Sequence, residues 1–336
     1  MATVGTLNLT FADVAKRQDA SGMTDKVIEL MDQNHEILDD MVVKECNRGN
    51  THIHTVRTGI PEGTWRRLYG GVKSTKSSTK QVTDSCGMLE ALPLIDVDVI
   101  DKSGDPAGTL LSEHMPHLEG MRQQMESTLF YGDVDVYEER FMGLAPRYDN
   151  YARATPDDSY SDYNVIHGGS SDTDNTSVWL ATWSDQHLHM LYPKGSVAGL
   201  VKKDLGRQLV DADDSSGKLE VIATKYKWDM GLSVADWRGV GRICNIDVSA
   251  LEAASSAVDL VEKMIKLSER VEGVGRKVWY MHPRVRTMLR LQILGKTNVN
   301  LTYDTVAGRR VLAFDEIPIR SSKKILMSEA LVTQAS

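Results

Sequence analysis

The stretch GGVKSTKSSTKQV, residues 70–82, offers one valine, Val72, and no further apolar side chain until Val82. A segment so poor in apolar residues cannot bury itself, so it must run along the outside of whatever fold carries it. Its flanks are different. THIHTVRTGIPEGTW, residues 51–65, alternates like a strand as far as Gly59 and then meets a Gly/Pro turn. CGMLEALPLIDVDVID, residues 86–101, resumes apolar and partly alternating character. Residues 50–92 therefore read as a long hairpin with a polar tip. A lone two-stranded ribbon is marginal in water, so this one needs a surface to lie on.

The rest of the chain is built around that projection. Residues 1–22 read as an extended arm with a turn at Ser21-Gly22. Residues 24–43 follow as a helix capped by Thr24, with Asp25 in its first turn and Val27, Leu30, Met31, Leu38, Met41 and Val42 largely on one side. A second helix is expected over 108–131, with Leu111, Met115, Leu118, Met125 and Leu129 on its stripe; it starts near Pro116 or kinks there. Residues 134–245 are strand- and loop-rich, with the apolar runs SVWLATWS and HLHMLYP and a hairpin turn at DADDSSGK. A third helix spans about 248–271, with Leu251, Ala254, Val258, Val261, Ile265 and Val271 facing one way. RKVWYMH reads as a buried strand, and HPRVRTMLRLQILG as a fourth helix between Pro283 and Gly295. The remainder reads as short strands with a turn at Pro318.

Bulk properties narrow the function class. The 336 residues suffice for about two ordinary domains. The formal net charge of −8 argues against a dedicated DNA-binding protein, which usually carries a basic surface. Cys46, Cys86 and Cys244 are odd in number and widely spaced, so they imply no disulfide framework and fit a reducing cytosol during folding. No run approaches the roughly 18 apolar residues that a membrane helix needs.

A search for chemistry finds little. LGKT at 294–297 lacks the upstream glycine of a phosphate-cradling loop, and HGGSS at 167–171 has the wrong spacing for a nucleophile elbow. His52 with His54, and His187 with His189, each share a strand face, but a metal site needs three or four ligands. These pairs read as polar positions on the solvent side, and His114 and His117 as surface or boundary residues. Asp211, Asp213 and Asp214 start a calcium-like run that fails at its sixth residue, Ser216, and its twelfth, Ile222. No cofactor and no metal is expected. The basic residues Arg66, Arg67, Lys73, Lys76 and Lys80 could meet phosphates, an acidic neighbouring subunit, or water alone. No aromatic residue interleaves with the lysines, as a stacking platform for nucleic acid would require; Trp65 and Tyr69 precede them.

The order of elements, together with TLNLTFADVAKRQDASG, VRTGIPEGTWRRLYGGV, CGMLEA, MESTLFYGD, FMGLAPRY and GRRVLAFDEIPIR, resembles the major capsid proteins of tailed bacteriophages. The segments are most similar to shell proteins of short-tailed phages of the epsilon 15 and Bordetella kinds. The resemblance covers nearly the whole chain. It implies an α+β chain of the Hong Kong 97-like capsid fold. Its pieces would be an N-terminal arm and helix at 1–49, an extended loop (β-hairpin) at 50–92, a peripheral domain with a spine helix at 93–134, an axial domain at 135–295 and a C-terminal return to the peripheral domain at 296–336.

The same resemblance implies a structural protein and not an enzyme. It would self-assemble through hexamers and pentamers into an icosahedral shell around phage double-stranded DNA, held without sequence specificity. The hairpin would lie over an adjacent subunit, with Trp65, Arg66, Arg67, Tyr69, Lys73, Lys76 and Lys80 as contacts. A separate scaffolding protein, a portal and a small cementing protein are the further expected partners, with no membrane. Location would be the virion, after assembly in the host cytoplasm. Two other classes stay open at this point: an encapsulin-like nanocompartment shell, and a cytosolic enzyme whose site gathers scattered residues.

Overall fold

The computed structural model describes residues 35–153, 160–171, 173–211, 217–253, 259–294, 301–306 and 309–335. The expected arm and most of the first helix lie outside them; within them that helix is represented by Glu36–Asp40. The strands, in chain order, are β1 (Val43–Glu45), β2 (Thr51–Gly59), β3 (Ser78–Ala91), β4 (Leu94–Asp96), β5 (Asn150–Tyr151), β6 (Val165–His167), β7 (Asn175–Trp183), β8 (Leu188–Tyr192), β9 (Leu200–Asp211), β10 (Lys218–Val234), β11 (Val240–Asp247), β12 (Arg276–Met281), β13 (Leu301–Val306), β14 (Arg309–Phe314), β15 (Ile317–Ser321) and β16 (Thr333–Gln334).

The chain gathers into two compact units that are not contiguous in sequence. The smaller takes His35, Met88–Ser127 and Gly199–Asp229. Its main element is the first part of a long helix, Pro106–Tyr131. This helix begins ten residues before Pro116 and runs through it, and the local chemistry explains the start. Pro106 occupies the first helical position, where a missing N–H is harmless. Asp105 caps the end, its carboxylate accepting the Gly108 N–H at 3.0 Å. The buried face also differs from the expected stripe. Met125 and Leu129 of that stripe are buried and Met121 and Glu126 join them, whereas Leu111 and Met115 are exposed. His114, expected at the surface or boundary, is buried with its ring 5.6 Å from that of Tyr226. Glu126 is matched by His35, whose Nδ1 lies 2.6 Å from its carboxylate. In the same unit β9 and β10 form an antiparallel ribbon, and β4 pairs with Val221–Ala223 of β10.

The larger unit holds a mixed sheet. Strand β7 lies at its centre, antiparallel to both β11 and β12, while β6 joins β11 and β15 joins β12 in parallel. All nine residues of β7, NTSVWLATW, are buried, as expected for a strand covered on both faces. Val178, Leu180, Ile243, Trp279, Phe314 and Ile319 from the sheet share one core with the helices Leu260–Arg270 and Pro283–Leu294. The third expected helix is two helical pieces, Val248–Glu252 and Leu260–Arg270, on either side of residues 254–258, which fall outside the described part. The second piece has its own cap, Asp259, which accepts the Glu262 N–H at 3.2 Å. That restart resets the phase of the stripe. Leu260, Met264, Leu267 and Val271 face the core, and Ile265 is exposed. At the end of the chain the turn between β14 and β15 is Asp315-Glu316, both at positive φ, and Pro318 sits inside β15. Positive φ at both central residues suits a tight hairpin, whose twist matches the flanking strands.

Candidate assembly interface

Strands β2 and β3 pair antiparallel from Thr51–Ser85 out to Gly59–Ser78, so the hairpin read from the sequence is present. Between its strands, residues 60–77 form no regular structure apart from a turn at Leu68-Tyr69. Tyr69 adopts a positive φ of 66°, and the Gly70 N–H donates to the Arg67 carbonyl at 3.0 Å. Lys73 and Lys76 lie in this tip, but Lys80 does not. It belongs to β3, opposite Val56, because the ladder begins at Ser78.

The tip carries apolar surface that touches nothing in its own subunit's core. Trp65 is 102% exposed and Tyr69 104%, with Ile60, Leu68 and Val72 also exposed. Ile60, Leu68 and Val72 are not among the contacts expected from the sequence; their signal is an apolar residue inside an otherwise polar, glycine-rich stretch. Arg66, Arg67, Lys73, Lys76 and Lys80 are exposed as well. From Arg57 to Lys80 the ribbon carries six basic residues against the single acid Glu62, in a chain whose net charge is −8. Apolar area ringed by arginine and lysine is the composition of an interface centre, since aromatic and arginine side chains dominate binding energy when buried.

The root of the hairpin is, by contrast, tightly fixed. Asp84 accepts from Arg147 Nη2 at 2.7 Å and from the Ser233 hydroxyl at 2.7 Å. The same guanidinium nitrogen donates to the Leu232 carbonyl at 3.1 Å. Asn47 clasps Ile53 twice, its amide donating to the carbonyl at 2.6 Å and its oxygen accepting the N–H at 2.9 Å. At Gly87 an added Cβ would lie 2.9 Å from the Glu139 carbonyl, so the β3 backbone passes too close to another segment for any larger residue. A rooted base with an exposed apolar and basic tip is built to present that tip.

The histidines of the root are not on the solvent side. His52, His187 and His189 are buried, because the faces that carry them turn inward. The His52 ring lies 5.8 Å from that of His189 and 6.2 Å from that of His54. Among the described residues no group of three or more His, Cys, Asp or Glu is arranged to hold a metal ion. Burial pushes the His189 pKa down to about 4, helped by Lys44 and His52 and opposed by Asp185 and Asp84. Burial lowers His52 and His54 also. These rings resist protonation in the folded chain, while the unfolded chain takes up protons below about pH 6.5. Stability is therefore complete above that pH and is lost as pH falls towards the folded value. For His189 alone the loss amounts to about 3 kcal/mol. Urea midpoints of the unassembled subunit should fall between about pH 7.5 and about pH 4.5, and His189→Leu should flatten that slope. An unchanged slope in the variant would contradict the assignment.

Comparison with known proteins fits this geometry. The family model described as Major capsid protein GP7 matches residues 19–333. A chain of bacteriophage epsilon15 aligns over 100% of both chains at 31% identity and a TM-score of 0.79. The bacteriophage JBD30 capsid aligns over 88% of this chain and 92% of its own at 9% identity and a TM-score of 0.50, a likeness of fold alone. The holo-SrpI encapsulin complex from Synechococcus elongatus reaches a TM-score of 0.42 at 10% identity, over 71% of this chain and 96% of the other, too distant to bear on function. No curated protein sequence matches.

Fold and hairpin together define a structural shell subunit of the Hong Kong 97-like kind, a phage capsid component of mixed α+β build. The chain belongs to the Major capsid protein GP7 family. It assembles with itself into a shell and is a component of the virion. No helix among the described residues is long and apolar enough to cross a membrane.

Proposed function

We propose that this subunit forms the icosahedral shell around the phage's double-stranded DNA, through hexamers and pentamers, and that residues 50–92 lie over the adjacent subunit. The observation that carries the reading is a firmly rooted ribbon whose Trp65 and Tyr69 are fully exposed. Trp65, Arg66, Arg67, Tyr69, Lys73, Lys76 and Lys80 make the contact. The long helix and its surroundings at 93–134 act as the peripheral domain, residues 135–295 as the axial domain around five-fold and six-fold positions, and 296–336 return to the peripheral side. The basic tip meets an acidic face of the neighbour, which suits an acidic chain. The role is structural and not catalytic. DNA is held on the inner face without sequence specificity. A separate scaffolding protein, a portal and a cementing protein complete the particle in the host cytoplasm.

Electron microscopy of the purified protein, expressed with and without a separate scaffolding protein, tests this. Closed icosahedral shells are expected with the scaffold, and boiled particles should run as monomers near 37.3 kDa. Elution as a stable monomer under all assembly conditions would overturn the reading. Shells that enclose a cargo enzyme and no DNA would replace it with a nanocompartment.

A further inference from the structure

Cys46 follows β1, and Cys86 lies in β3 at the base of the hairpin. Their sulfurs are 3.4 Å apart. Both side chains are buried, at 2% and 6% exposure, and share a small cluster with Leu191. The backbone on each side is held. The Cys46 N–H donates to the Tyr192 carbonyl at 2.9 Å, and the Cys86 N–H to the Asn50 carbonyl at 3.0 Å. Asn50 also donates its amide to the Cys86 carbonyl at 2.9 Å. Gly231 on β10 leaves the sulfur its room, since a Cβ there would sit 3.1 Å from Cys86 Sγ. Two sulfurs in van der Waals contact on fixed strands need to close by only about 1.4 Å to reach bonding distance.

We infer that Cys46 and Cys86 are a modification site, forming an intrachain disulfide on exposure to peroxide and closing residues 46–86 into a covalent loop around the paired part of the hairpin and its tip. The oxidant is a small peroxide, which can reach a buried pair. The Cys86 thiol, the less covered of the two, gives up its proton, and its thiolate attacks one peroxide oxygen. The O–O bond breaks, hydroxide leaves, and a sulfenic acid forms on Cys86. The Cys46 sulfur then attacks that sulfur, the S–O bond breaks, and a second hydroxide leaves. With the two thiol protons, the balance is two thiols and one hydrogen peroxide to one disulfide and two waters. Burial raises the Cys46 pKa, which keeps its thiolate scarce and makes the closure slow. Reduced subunits would therefore persist during folding in the cytosol, and the bond would accumulate in particles outside it. Cys244 is a built-in control. It is fully buried on β11 beside the Ile166 carbonyl, and burial pushes its thiol pKa up to about 12.

The inference rests on the thiol geometry and not on shell assembly, so unassembled subunits serve as well as particles. Full-length protein, purified under reductant, is treated with dilute hydrogen peroxide, quenched, denatured without reductant and alkylated. Mass spectrometry should count three alkylated cysteines before treatment and one, Cys244, afterwards, with dithiothreitol restoring all three. On a non-reducing gel the treated chain should stay a monomer and run slightly faster. Cys86→Ser should show two alkylated cysteines both before and after. Three thiols surviving treatment would overturn the inference. So would a disulfide-linked dimer, a loss that dithiothreitol does not restore, or reversible loss of Cys46 in the Cys86→Ser chain.

Discussion

Reversing Lys73, Lys76 and Lys80 to glutamate should abolish shell formation while leaving the subunit folded. All three side chains are exposed. Surface substitutions of that kind change stability by no more than about 0.5 kcal/mol each. At an interface the sign matters more. The triple change turns the ribbon from basic to acidic and sets it against a neighbour of the same acidic chain, where like-charge juxtaposition costs several kcal/mol per contact. If the tip makes the proposed contact, every subunit of the shell repeats it and the penalty recurs around the particle. Trp65→Ala separates the apolar part of the contact from the electrostatic part. A buried anchor of this type is worth about 2 kcal/mol or more at its interface, yet a fully exposed side chain contributes little to its own fold. Sedimentation and electron microscopy should show subunits without shells for the triple variant, and fewer or salt-sensitive shells for Trp65→Ala. Normal particles of normal thermal stability from the triple variant would refute the role given to the tip.

The second large effect belongs to the interior of the larger unit. Replacing Arg242 with alanine should destabilise the unassembled subunit by about 3–5 kcal/mol. Arg242 Nη2 donates to Glu329 at 2.8 Å, Nε to the Ser177 hydroxyl at 3.0 Å and Nη1 to the Tyr148 carbonyl at 2.8 Å. Its guanidinium also lies 4.9 Å from the centre of the Trp179 ring. Glu329 in turn accepts from the Ser177 and Tyr131 hydroxyls. Without Arg242 a carboxylate is left buried with no cation to offset its desolvation. The consequence extends along the chain. Glu329 sits in the C-terminal strap, which the Glu329 N–H to Asn175 carbonyl bond at 2.8 Å and two Asn245–Val332 bonds at 2.8 and 2.9 Å fasten to the sheet. Loss of the pair should loosen that strap as well as lower the urea midpoint. Glu329→Gln, which keeps an acceptor and removes the buried charge, should cost less than Arg242→Ala. Arg242→Ala within about 1 kcal/mol of the parent would show that the pair does not hold the strap.

Local chemistry was legible in the sequence wherever one element decided it. The lack of apolar side chains between Val72 and Val82, with alternation on either side, was enough to place a hairpin. The same is true of the buried strand Arg276–Met281 and of the helix from Pro283, each set by its own pattern and breakers. Errors arose where a cap or turn outweighed periodicity. Asp105-Pro106 starts the long helix close to the expected 108 and not at Pro116, which lies inside it, Asp259 restarts a helix read as continuous, and Asp315-Glu316 makes the turn assigned to Pro318.

What the sequence by itself determined is therefore the projecting ribbon, its basic and aromatic tip, and an alternation of helices and strands consistent with a shell protein. Only the tertiary structure decided which faces turn inward. It buried His52, His114 and His189 where polarity suggested exposure, and it set Cys46 against Cys86, 40 positions apart in the chain. It also joined Gly199–Asp229 to the first part of the long helix in one unit and fastened Glu329 to Arg242. The physical reason is range. Periodicity and capping express interactions between residues a few positions apart, which any segment carries with it. Partners separated by tens or hundreds of residues meet only through strand register and sheet topology, and no single segment encodes those.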